Sequence, residues 1–392
     1  MDIRAILLVG GLAADPSGPI ESMGGVPIAY LDALGLPVVE RVLRRLHHYG
    51  ICKTTLISDA PADAAAWTRT PTLDRLEKID ASGDEFWNAA EETFERYATE
   101  GADLVVALRI GPYVEVDYEE LIQHHLDHRC SVSMAVDATN SRLDLFVLNS
   151  CGRMDARELF QSHLQHLRRD CEPFLVTGYV NRLQNMADFR RLAMDGLLAK
   201  NAMRPEGTES KPGVFVGRGA RIHRKARVVA PAFIGARAKV HASALITRGT
   251  VLEHHAVVDC GTVVENSTLL PFTRLGAGLD VVQAVVGFRR LAHLARNVEV
   301  EIADAKLVGM VPSSPVSRLA GSTAALFAFL PKQIYRGFFA PSHRESSAES
   351  PDCAESPQQP ALDASVLESP ASGTESSEFP PTLAVVRRYG DH

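Results

Sequence analysis

Between Val216 and Leu270 the apolar residues fall on a strict period of six: Val216, Ile222, Val228, Ile234, Val240, Ile246, Leu252, Val258, Val264 and Leu270. A helix repeats every 3.6 residues and a flat strand every two, so neither produces this pattern. Four places after each of the first nine stands a small residue: Ala220, Ala226, Ala232, Ala238, Ala244, Thr250, Ala256, Thr262 and Thr268. One short strand and one tight corner per hexapeptide account for both series, with the aliphatic side chain inward and the small one at the turn. Three hexapeptides per coil stack residues eighteen apart at about the 4.8 Å spacing of neighbouring strands. The expected internal columns are Val216, Ile234, Leu252 and Leu270; Ile222, Val240 and Val258; and Val228, Ile246 and Val264.

This stretch resembles the left-handed parallel β-helix of hexapeptide-repeat proteins. Sandwich strands would need turn signals every eight to twelve residues or so, together with strand alternation. The stretch has neither.

A chain of 392 residues predicts two or three domains, and 46% hydrophobic with 23% charged residues predicts a soluble globular protein. The net charge of −7, with Lys and Arg read as dispersed rather than striped, argues against a nucleic-acid partner. Cys52, Cys130, Cys151, Cys171, Cys260 and Cys353 form no CxxC pair and read as reduced, mostly buried thiols. The opening apolar run, Ile3 to Val9, is too short for a signal-peptide core, and no segment reaches the length of a spanning helix. A cytoplasmic protein is the expectation.

Ahead of the repeats, strand-like and helix-like segments alternate: Arg4 to Val9, Val38 to Tyr49, Thr54 to Ile57, Asp84 to Thr99, Leu104 to Leu108 and Tyr118 to His128. That order predicts a doubly wound α/β domain over residues 1–200. A change of composition marks a linker at 201–212, and the β-helix is expected over 213–311. Residues 312–340 carry an apolar centre from Ala324 to Leu330 between basic ends and read as an amphipathic capping helix; contact with a membrane surface is the less favoured reading. Residues 341–392, rich in Ser, Glu, Pro and Ala, predict a disordered tail that ends in the apolar-basic island Leu383 to Tyr389.

Three stretches of the α/β part carry a family resemblance. Gly10-Gly11-Leu12-Ala13-Ala14-Asp15 followed by Pro27 to Pro37 aligns with a GGxGTR loop and a PKxLxxVxGxP segment; the strand from Leu104 ends where that family has glycine–aspartate; and Gly178 to Phe189 aligns with GYWxDIGTxxDY. On these residues the chain resembles the sugar-phosphate nucleotidyltransferases, and within them the mannose-1-phosphate guanylyltransferases, many of which carry a C-terminal left-handed β-helix. The resemblance implies transfer of a nucleotide to a sugar 1-phosphate with release of pyrophosphate. It also implies that Gly10, Gly11 and Leu12 lie against the nucleotide.

The reactive positions depart from the family. Asp15 stands at the loop arginine, Ile28 at the lysine, and Arg109 and Arg182 at the two Mg²⁺-binding aspartates. Arginine cannot ligate magnesium, which takes oxygen donors. Each lost electrostatic group of this kind typically costs about 2.7–4 kcal/mol of transition-state stabilisation. The expectation is therefore a degenerate member, with no metal cofactor, acting as a binding, regulatory or scaffold subunit that oligomerises through the β-helix. Arg109 and Arg182 become candidate ligands for the phosphate of a nucleotide or sugar phosphate, pairing otherwise with Asp15.

Two alternatives stand beside this. One is an active nucleotidyltransferase that uses Mg²⁺ and residues not matched above. The other is a hexapeptide-repeat acyltransferase with His223 or His241 as base, these being stacked eighteen apart with Asp259 next in the column and His254 and His255 nearby. His124, His125 and His128 read as surface histidines of one helix, and Glu91, Glu92 and Glu95 as a solvated helical face.

Overall fold

Ile3–Val9 (β1) is buried from Arg4 onward, as a parallel strand covered on both faces must be. Ala5, Leu7 and Val9 point into one core, and Ile6 and Leu8 into another. The computed structural model describes residues 1–10, 22–60, 76–150, 160, 172–296 and 298–311. Gly11, Leu12 and Asp15, the helix expected at 312–340 and the tail at 341–392 lie outside the described residues.

Six further strands complete the sheet: Lys53–Ser58 (β2), Glu77–Asp80 (β3), Leu104–Arg109 (β4), Val132–Val136 (β5), Arg142–Asn149 (β6) and Phe174–Leu175 (β7). Their order is β7-β5-β6-β4-β1-β2-β3. β1 pairs in parallel with β2 and β4, whereas β6 runs antiparallel to both β4 and β5. The reversal has a simple cause. Only residues 137–141 join β5 to β6, and a parallel crossover needs a dozen or so.

Among the described residues, four helices cover the faces: Val38–His48 (α1), Asp84–Thr99 (α2), Tyr118–Asp127 (α3) and Met186–Leu197 (α4). α2 packs Phe86, Trp87, Ala90 and Phe94 against one face, and the other three helices pack against the opposite one. Asp117 starts α3 by accepting from the amides of Glu119 and Glu120, and Asn185 starts α4 by accepting from Asp188. The parallel-rich α/β domain thus matches the sequence expectation, apart from the reversed strand.

The repeat region consists of short strands in three sheets, and its parallel register follows the hexapeptides. Val216 lies beside Ile234 and Ile234 beside Leu252; Ile222 beside Val240; Val228 beside Ile246. One coil therefore takes eighteen residues, an arrangement compatible with a parallel β-helix. The register then shortens by one: Leu252 lies beside Leu269, and Val258 beside Leu275. Leu270, expected inside, joins the core of the α/β domain, and Leu269 fills the coil.

Ser267 explains the slip. Thr250 and Thr262 donate their hydroxyls across the coil to the carbonyls of Val264 and Gly276, and Ser267 makes the equivalent bond to Val281. Ser267 has taken the corner one place before Thr268.

The stretch expected as a linker is built into the fold. Asn201 and Met203 are buried, and Thr208–Lys211 pairs antiparallel with Val214–Val216. On the eight-stranded sheet of the coils, Phe233, Val251, Leu270 and Val285 belong to the same core as α1, α3 and α4. One face of the coil region is therefore buried against the α/β domain.

Candidate functional site

In open α/β sheets ligands bind outside the carboxyl ends of the parallel strands. That edge here collects Gly10 after β1, Asp59 after β2, Arg109 at the end of β4 and Asp137 after β5. Gly10 has a φ of +100°, and a Cβ there would come within 2.8 Å of the Cβ of Asp59, so the loop's first residue has to be glycine. Ile28 is 4% exposed and belongs to the core. It offers nothing to a phosphate.

The two arginines are already engaged. Arg109 donates from Nε and Nη2 to one oxygen of Asp144, at 2.9 and 2.6 Å. Asp144 has a φ of +51°, in the left-handed region, just before β6 begins to pair with β4 at Leu145. Arg182 donates from Nη2 to Asp137. The same carboxylate accepts from the hydroxyl of Thr139 at 2.6 Å and from the amides of Thr139 and Ser141 at 2.9 Å. The Thr139 hydroxyl, the Ser141 amide and Arg182 hold Asp137 well below the usual carboxylate range.

Arg109 and Arg182 stand toward the same edge, yet no hydrogen bond or ion pair joins them among the described residues. Asp15, the partner expected for these arginines, lies outside the described residues; among the described ones Arg109 pairs with Asp144 and Arg182 with Asp137. The two positions expected to ligate magnesium hold guanidinium groups, which offer it no oxygen, and among the described residues the carboxylates that meet them are bonded to those groups.

A second charged constellation lies at the junction of the α/β domain with the coils. The turn Asp32-Ala33-Leu34-Gly35, with φ of +58° at Leu34 and +96° at Gly35, inserts against the third coil. Glu253, fully buried, accepts from the amides of Leu34 and Gly35, both at 2.8 Å. Asp32 meets His254 Nδ1 at 2.7 Å, and Arg41 donates to the carbonyls of Ala33 and Leu34 from outside the turn. Burial first, then the neighbouring charge of Asp32, pushes Glu253 up to about 8. Burial is the largest single influence on His254 and lowers it, but the bond to Asp32 and the charges of Asp32 and Glu253 together outweigh it and raise the pKa.

α4 closes the junction on another side. Arg190 donates to the carbonyl of Gly249 and the side chain of Asn266. Nothing in the sequence pattern singled out Asp32 or Asp137. Glu253 did leave a signal, because the residues eighteen and thirty-six places before it are Gly235 and Gly217.

His223 is exposed and accepts from the amide of Lys225, closing its own turn. His241 lies 3.8 Å from Asp259, whose other oxygen takes Arg274 at 2.6 Å. His124 and His128 stack on each other, with His128 exposed; His124 reaches the carbonyl of Glu172.

His125, expected at the surface, is buried between Ser133 and Asn149, and burial lowers its pKa. Glu92 and Glu95 are exposed, and Glu91 is half-buried. The cysteines also differ from expectation. Cys52 and Cys260 are exposed free thiols, whereas Cys130 is disulfide-bonded. No helix among the described residues is long and apolar enough to cross a membrane.

No family model matches this chain, and no curated protein matches it significantly.

Proposed function

We propose that this chain is a catalytically degenerate relative of the sugar-phosphate nucleotidyltransferases that serves as a binding, regulatory or scaffold subunit in nucleotide-sugar or polysaccharide synthesis. Its fold is then the doubly wound domain of that family followed by a left-handed β-helix. The supporting observation is the pairing of Arg109 with Asp144 and of Arg182 with Asp137. Nucleotidyl transfer depends on positive charge held against the triphosphate as it reacts. An arginine neutralised by its own carboxylate supplies little of that field.

Guanidinium groups retain N–H donors beyond those spent on one carboxylate, so a phosphate oxygen can still bind beside each pair. The ligand of this site is a nucleotide or sugar phosphate bound without metal. Contacts with other subunits fall to the coil faces that the α/β domain leaves open.

Calorimetric titration of the full chain with a nucleotide sugar and with a sugar 1-phosphate, with chelator and with Mg²⁺, tests this reading. Equal binding in both conditions is expected, and the Arg109→Asp, Arg182→Asp double variant should bind about a hundredfold more weakly, as loss of two charge-assisted bonds implies. Binding that requires Mg²⁺, or that survives the double variant, would overturn it.

A further inference from the structure

The cations of this acidic chain are not spread evenly over the fold. The first coil carries Arg218, Arg221, Arg224, Lys225 and Arg227, all exposed, and the second adds Arg237 and Lys239. No Asp or Glu occurs between residues 210 and 252, and none of these seven side chains makes an ion pair with a described residue. The distribution corrects the expectation of dispersed Lys and Arg. In a chain of net charge −7 this end of the coil region is a local cationic surface that no described acidic side chain neutralises.

Among the described residues, two of the three sheets at the same end have no covering strand. Val214–Val216 is covered by Thr208–Lys211, but Arg221–Ile222 and Arg227–Val228 are the terminal strands of the five- and four-stranded sheets. Their outer edges have no neighbouring strand among the described residues. Ile222 is 38% exposed, although Val240 and Val258 in its column are 3% and 0% exposed, and Val229 beyond it is 42% exposed. Unpaired strand edges, an open aliphatic column and a ring of cations therefore coincide.

We propose that this first-coil end docks an acidic polypeptide segment of a partner protein, bound in extended form along the free strand edge. An added strand satisfies the edge amides and carbonyls, its apolar side chains cover Ile222 and Val229, and its carboxylates meet the arginines. A second copy offering the same face brings like charge against like. A nucleic-acid duplex matches the charge but has no strand edge and no side chains to cover Ile222. An anionic bilayer takes the charge and the isoleucine but offers nothing to the edge backbone.

The test is fluorescence anisotropy with the full chain and a labelled sixteen-residue peptide of alternating glutamate and valine, with duplex DNA and phosphatidylserine vesicles as competitors. The expected result is saturable, salt-weakened binding that drops about tenfold in Arg221→Glu, Arg224→Glu, Arg227→Glu, in line with three reversed surface charges. Ile222→Asn, which keeps every charge, should weaken the peptide severalfold and leave DNA unaffected. All four substitutions fall on exposed side chains, and circular dichroism checks the fold. No peptide binding, equal binding by the charge-reversed variant, an unchanged affinity in Ile222→Asn, or stronger binding of DNA or vesicles would each overturn the proposal. None of these outcomes bears on ligand binding by Arg109 and Arg182.

Discussion

The carboxyl edge of the sheet and the junction with the coils both gather charged groups, but in opposite settings. At the edge, Arg109 with Asp144 and Arg182 with Asp137 are pairs in contact with solvent, each complete in itself. At the junction, Asp32 and Glu253 are held out of water, Glu253 tied to the backbone of a single turn and Asp32 to the half-buried His254. The difference separates two uses of charge. A solvated pair contributes little to stability and can yield a donor to a ligand, whereas a buried cluster is costly to break and fixes how two regions meet.

Mutation should break the junction first. Glu253→Ala strands two buried amides, so urea unfolding is expected to show a loss of about 3–5 kcal/mol. Gly35→Ala forces a Cβ to 2.8 Å from that of Glu206 at a φ of +96°. A loss of about 2 kcal/mol is expected, measured in the same way.

Within the coils, Thr262→Val removes a buried hydroxyl that donates to Gly276 and accepts from Leu279; about 1–2 kcal/mol should follow. Asp144→Ala at the sheet edge should cost no more than about 1 kcal/mol. An Asp144 variant as damaging as Glu253→Ala would erase the distinction between the two regions.

Acidity sharpens the same contrast. Glu253 and His254 are both raised in the folded chain, from ordinary values of 4.5 and 6.5. A raised group binds its proton more tightly when folded, so its stabilisation is complete below the ordinary value and is lost as pH rises towards the folded one. The urea midpoint should therefore fall between pH 5 and pH 8 or so, and Glu253→Gln should flatten that fall. Asp137 titrates in the opposite sense: its contribution is present above its ordinary 3.8 and is lost only in stronger acid.

What the sequence discloses about each region follows the range of the interactions. The coil register was legible because each hexapeptide repeats one local solution, which put Val216, Ile234 and Leu252 in line. It failed at Leu270, where a serine hydroxyl at Ser267 serves as well as the expected small residue and shortens the coil by one. The strands and helices of the α/β domain were legible in their apolar runs; the reversed β6 was not, since a pattern of buried residues carries no direction.

The charge partners were hidden by distance. Asp144 and Asp137 lie 35 and 45 residues from Arg109 and Arg182, and His254 lies 222 residues from Asp32. Spacing rules reach none of these separations. Only the break in the glycine series at Glu253 pointed to the junction.

On the function proposed above, the arginine–aspartate pairs stand in place of the machinery of nucleotidyl transfer. Pyrophosphate release tests it most directly, measured on the folded full-length chain with Mg²⁺, mixed nucleoside triphosphates and a panel of sugar 1-phosphates. No release above the protein-free control is expected. Sustained turnover with any substrate pair, lost in the Arg109→Asp, Arg182→Asp variant, would contradict it and make those arginines part of a working active site.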